Sequence, residues 1–121
     1  EMAKGKMRNH GLQLTKAEKA WIESYRKALD EKYPDSVHEM FIYGSKARGQ
    51  AHAESDVDVI LIVKNEAGAR KRDLRHIGYL LAATREVLPS ILAYTQEEWD
   101  SRKRSGSSFR KAVERDAVRV V

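Results

Sequence analysis

From Val57 to Val63 the chain is apolar and mostly β-branched, interrupted only by Asp58. A strand with one wet face shows a polar residue at every second position, and this run does not, so it predicts a central strand covered on both faces. The carboxylates sit at one end only: Asp58 inside the run and Asp56 just before it. Residues two apart on a strand project from the same face, so Asp56 and Asp58 would stand together where the strand begins. Two carboxylates so placed can share one hard cation such as Mg²⁺.

The segments around this strand supply its partners and its cover. Val37 to Tyr43 reads as a second strand, with Met40 and Ile42 toward one side and Phe41 and Tyr43 toward the other. Ser90 to Tyr94 reads as a short third strand after Pro89, and Val118 to Val121 as a terminal one. Leu14, Ala17, Trp21, Tyr25, Ala28 and Leu29 recur at helix spacing, started by the capping-box pattern Thr15-x-x-Glu18 and stopped at Tyr33-Pro34. Leu74, Ile77, Leu80, Leu81, Thr84 and Leu88 form a second stripe that begins after Gly68 and ends at Pro89. A second capping box, Thr95 to Glu98, starts a helix carrying Trp99, and Phe109 to Asp116 predicts another after the Ser105-Gly106-Ser107-Ser108 loop.

The length of 121 residues fits one domain, expected over 12–121 and preceded by a flexible polar segment over 1–11. The absence of cysteine excludes disulfides and thiolate metal sites and fits a reducing cytoplasm, and no apolar stretch is long enough to span a membrane. The net charge of +5 raises the question of nucleic acid. The densest basic groups, Arg70-Lys71-Arg72 and Arg102-Lys103-Arg104, lack interleaved aromatics that could stack bases, so they read as solvated helix faces. An acidic protein partner would also suit them.

Between the first two strands lies Gly44-Ser45, and ten residues separate Ser45 from Asp56. Gly44 permits a tight exit from the strand, and Ser45 is expected to cap a short helix through Arg48. Such a turn can offer backbone N–H groups and a hydroxyl to phosphate. A carboxylate pair beside a phosphate cradle is equipment for phosphoryl or nucleotidyl transfer. The bland alternative is a surface turn followed by an acidic strand start. Lys46 and Arg48 flank the cradle and are equally compatible with triphosphate contact or plain exposure. His52 could line the site's mouth, and Glu39 and Glu54 could supplement the carboxylate pair, with surface exposure the simpler reading for all three. His38 and His76 have no ligand-spaced partner, and Trp21, Trp99 and Tyr43 read as core.

The stretch from Phe41 to Val63 resembles the nucleotidyltransferase signature of the DNA polymerase β superfamily in its minimal single-domain form. It is most similar to the nucleotidyltransferase antitoxins paired with HEPN-domain toxins. The resemblance implies an α/β (α+β) fold: a small mixed sheet with helices packed mainly on one face. It implies Gly44 and Ser45 as nucleotide-binding residues, with Asp56 and Asp58 as catalytic and metal-binding residues. It further implies Mg²⁺ as cofactor, ATP as substrate, and AMP transfer to a tyrosine hydroxyl of a HEPN-domain partner. The family usually carries a third carboxylate on the next core strand, where Ser90 stands here. A serine cannot hold a second Mg²⁺ as a carboxylate does, so that departure puts two-metal catalysis in question. Two alternatives follow: a nucleotide-binding module that neutralises its partner by contact, and a small-molecule nucleotidyltransferase, for whose acceptor this chain has no second domain.

Overall fold

A computed structural model of the chain describes residues 12–49 and 56–120. The expectation of a flexible segment over 1–11, and the candidates His52 and Glu54, lie outside the described residues. The elements run α1 (Lys16–Lys32), β1 (Val37–Tyr43), α2 (Ser45–Arg48), β2 (Val57–Val63), a 3₁₀ segment (Asn65–Arg70), α3 (Lys71–Ala83), β3 (Pro89–Thr95), α4 (Gln96–Arg104), α5 (Ser108–Asp116) and β4 (Val118–Arg119). The strands form one mixed sheet in the order β3-β2-β1-β4. β1 runs antiparallel to both β2 and β4, and β2 runs parallel to β3.

β2 is buried on both sides, as its composition requires. Val57, Val59, Leu61 and Val63 face the larger core, with Trp21, Tyr25 and Leu29 from α1 and Leu74 and Ala82 from α3. Ile60 and Ile62 face a smaller core with Trp99 of α4 and Val113 of α5. The two longest helices therefore lie on one face, as expected, and two shorter ones close the other. By strand alternation Asp58 belongs to the face of Ile60 and Ile62.

Side-chain bonds lock α1 to α3. Trp21 Nε1 donates to the Gly78 carbonyl at 2.9 Å, and Tyr25 Oη donates to the Leu74 carbonyl at 2.8 Å. These polar tips are satisfied inside the core, which is what lets both aromatics be fully buried. Gly78 is what allows the helix to approach: a Cβ there would sit 2.6 Å from both Tyr25 Cζ and Ile91 Cδ1. Gly78→Ala is therefore expected to destabilise the fold by about 1–3 kcal/mol through overpacking, less up to about 1 kcal/mol of helix propensity. Thermal unfolding should show a lower midpoint, and an unchanged or raised one would contradict this packing.

Part of the outer edge of β3 is engaged by the chain itself. Pro89 has no N–H, Ile91 N–H donates to Tyr79 Oη at 2.9 Å, and Thr95 N–H donates to Glu98 Oε1 at 2.8 Å. An edge blunted in this way offers little to a foreign strand.

Candidate active site

Gly44 and Asp58 meet at one end of the two central strands, β1 and β2. In the antiparallel register Tyr43 lies opposite Asp58, so the chain leaving β1 passes directly over that carboxylate. Gly44 makes the exit at φ 76°, ψ −154°, a region open essentially to glycine alone. A Cβ built at Gly44 would fall well inside van der Waals contact of Asp58 Oδ2. The glycine is thus required twice, by its backbone angles and by the closeness of the acid. Gly44, rather than the expected Ser45, occupies the N-cap position of α2, and Ser45 is the first helical residue. The positive φ of Gly44 starts the helix one residue earlier than a side-chain cap would.

Asp56 and Asp58 are brought together. The Asp58 carboxyl is half-buried and pushed above its ordinary value, first by burial, then by the charge of Asp56, with Arg48 opposing. The Tyr43 phenol is pushed up to about 12 by burial and by the Asp58 charge. Tyr43 is half-buried and packs edge-on against Phe109 at 5.7 Å between ring centres, so it forms a wall beside the acid.

Lys46 and Arg48, equivalent in the sequence, part company here. Lys46 is buried and its Nζ lies 3.0 Å from Glu18 Oε2, so its charge is engaged within the chain. Arg48 is exposed and close enough to Asp58 and Asp116 to act on both charges. The sequence marked Glu18 only as a capping residue, and its approach to Lys46 follows from tertiary packing that no local pattern reports.

The profile of the nucleotidyltransferase domain matches the chain over residues 22–114, well over half its length and including both the Gly44-Ser45 turn and the Asp56/Asp58 pair. The chain belongs to the nucleotidyltransferase domain family. No curated protein matched it. A crystal structure from Sulfolobus solfataricus, titled as a nucleotidyltransferase on provisional assignment, is similar at 20% identity. That alignment covers 82% of this chain and 85% of the other, with a TM-score of 0.46, too weak a likeness to bear on function.

In this nucleotidyltransferase domain the donor set suits a hard divalent cation. Two carboxylates near enough to repel, one of them partly desolvated, are in the condition that such a cation relieves. Among the described residues no group of three or more His, Cys, Asp or Glu is arranged to hold a metal. Mg²⁺ at nucleotide sites is commonly held by one or two carboxylates with phosphate and water completing the shell, so two suffice. Ser90 lies directly opposite Asp58 in the parallel register of β2 and β3. The position where the resemblance implied a third carboxylate is therefore beside the acid pair, and a hydroxyl occupies it.

The remaining candidates lie elsewhere. Glu39 pairs with Arg119 at 3.6 Å, His38 Nδ1 is hydrogen-bonded with Gln96 at 3.1 Å, and His76 is exposed on α3. Trp21 and Trp99 are buried in the two cores. The basic clusters are largely engaged within the chain: Lys71 pairs with Glu98 at 2.9 Å, and Arg70 and Arg102 lie over the rings of Tyr33 and Tyr94. No helix among the described residues is long and apolar enough to cross a membrane.

Proposed function

We propose that this domain transfers AMP from ATP, with Mg²⁺, to a hydroxyl on a partner protein. By the motif resemblance the acceptor is a tyrosine of a HEPN-domain toxin, the modification silences it, and the setting is the cytoplasm. The observation that carries the nucleotide part is the contact of the Gly44 turn with the Asp58 carboxylate, in a chain of the nucleotidyltransferase family.

In the proposed reaction the acceptor oxygen forms a bond to the α-phosphorus, the bond to the bridging oxygen breaks, and pyrophosphate leaves. Bound Mg²⁺ would neutralise charge on the triphosphate and the leaving group. Asp56 and Asp58 would hold it. Ser45 would donate its hydroxyl to a phosphate oxygen, and Gly44 would let the backbone approach without a side chain in the way. Arg48, exposed and close to Asp58, would counter phosphate charge. The hydroxyl proton passes to solvent or to a base on the acceptor protein, since Ser90 cannot take it at neutral pH.

A second reading, a weak or inactive nucleotide-binding module that neutralises its partner by contact, is favoured by Ser90 standing opposite Asp58. The two separate in one assay. The chain is incubated with the HEPN-type protein encoded beside it, ATP and Mg²⁺, and the partner's mass is read. Transfer predicts a gain of one AMP on a tyrosine, abolished by EDTA and accelerated by Ser90→Asp. A stable complex without the mass gain supports the binding reading. Neither complex nor modification removes the partner assignment.

A further inference from the structure

Lys46 follows Ser45 directly, yet its ammonium and the Glu18 carboxylate form an ion pair whose side chains are only 3% and 4% exposed. Glu18 divides its oxygens: Oε2 meets Lys46 at 3.0 Å, while Oε1 accepts the Thr15 N–H at 2.9 Å. The capping box of α1 and the residue after the Gly44-Ser45 turn are thereby joined through one carboxylate. A backbone bond adds to the tie, since Gln13 N–H donates to the Lys46 carbonyl at 2.8 Å. α2 itself is only four residues long and has no side-chain cap.

A buried ion pair is a poor device for stability. Desolvating both charges offsets most of their attraction, and apolar replacements of similar volume are often as stable or more so. What a buried pair does impose is a fixed separation and direction between the two segments that carry it. We infer that Glu18 and Lys46 form a positioning pair that holds the Gly44-Ser45 turn against the start of α1 and so sets the orientation of the phosphate cradle. Neither residue touches nucleotide; both act through the turn. The inference rests on the nucleotide-site reading above and names the residues that keep that site in shape.

The test uses the full chain and three variants: Lys46→Met, Glu18→Gln with Lys46→Met, and Lys46→Arg. Gln at 18 retains an oxygen for the Thr15 N–H, and Met matches the lysine stem. Lys46→Met alone leaves Glu18 buried and unpaired, so its melting temperature should fall. The double variant removes both charges, so no buried charge is left unpaired, and it should melt higher than Lys46→Met alone. Its backbone amides over 45–49 should nevertheless exchange with deuterium about tenfold faster, with those of β2 unchanged. It should also bind ATP with Mg²⁺ about tenfold more weakly. Lys46→Arg keeps the charge pair and should retain most of both properties. Wild-type exchange over the turn together with wild-type ATP affinity in the double variant would overturn the inference, as would equal losses in Lys46→Arg and Lys46→Met. A wild-type chain that binds no ATP would instead remove the nucleotide reading, and the exchange measurement would still decide whether the pair holds the turn.

Discussion

Asp58→Asn is expected to lower AMP transfer by about a thousandfold or more while leaving the fold intact. The amide matches the carboxylate in shape but not in charge, and a neutral oxygen cannot repay the dehydration of Mg²⁺. Stability should respond in the opposite sense. The folded chain holds the Asp58 proton more tightly than the unfolded chain does, because burial and Asp56 both disfavour the charge. A carboxyl whose folded value is raised weakens the fold as pH rises through the carboxylate range and stays ionised at a cost at neutral pH. Asn removes that cost. At pH 7, without metal, the variant should melt at or above the wild-type temperature while its turnover collapses. A variant that loses activity and melts several degrees lower would mean that Asp58 is structural.

Gly44→Ala should damage both the fold and the transfer reaction. The backbone at φ 76°, ψ −154° costs a residue with a Cβ about 1–3 kcal/mol. The methyl would also collide with Asp58 Oδ2, so either the turn or the acid must move. Displacement of a reacting group by about 1 Å can cost about a hundredfold in rate, which sets the expected loss of transfer. Gly106→Ala is the control. Gly106 also has a positive φ, of 75°, but a Cβ there meets nothing within 4 Å. The control should lose stability and keep its rate. Equal rates in Gly44→Ala and the control would show that the contact with Asp58 has no bearing on function.

Much of this architecture is legible in the chain because its strongest signals are local. β1 and β2 begin and end where alternation and the β-branched run predict, at Val37–Tyr43 and Val57–Val63. Thr15 and Thr95 cap α1 and α4 through complete capping boxes, each with the glutamate three residues on reaching back. The end of α3 is different. Its apolar stripe continues to Leu88, yet the helix stops at Ala83, Val87 turns into the core and Leu88 is exposed. The chain must turn early there so that the Leu88 carbonyl can accept the Val57 N–H and bring β3 into register beside β2. Helical periodicity carries no information about such a return. The same limit hid Glu18 from Lys46 and made Lys46 and Arg48 look alike. Charge next to a motif is visible in sequence, but whether it faces solvent, substrate or a distant carboxylate is decided by packing.

In the proposed reaction Asp56 and Asp58, beside the Gly44-Ser45 turn, hold a divalent cation with a nucleoside triphosphate. Calorimetric titration of ATP into the wild type and into Asp56→Asn/Asp58→Asn, each with Mg²⁺ and with EDTA, tests it most directly. Mg²⁺ should tighten ATP binding to the wild type by at least about tenfold, the scale of one lost charge-assisted contact, and leave the double variant unaffected. The same Mg²⁺-dependent affinity in both proteins would contradict it.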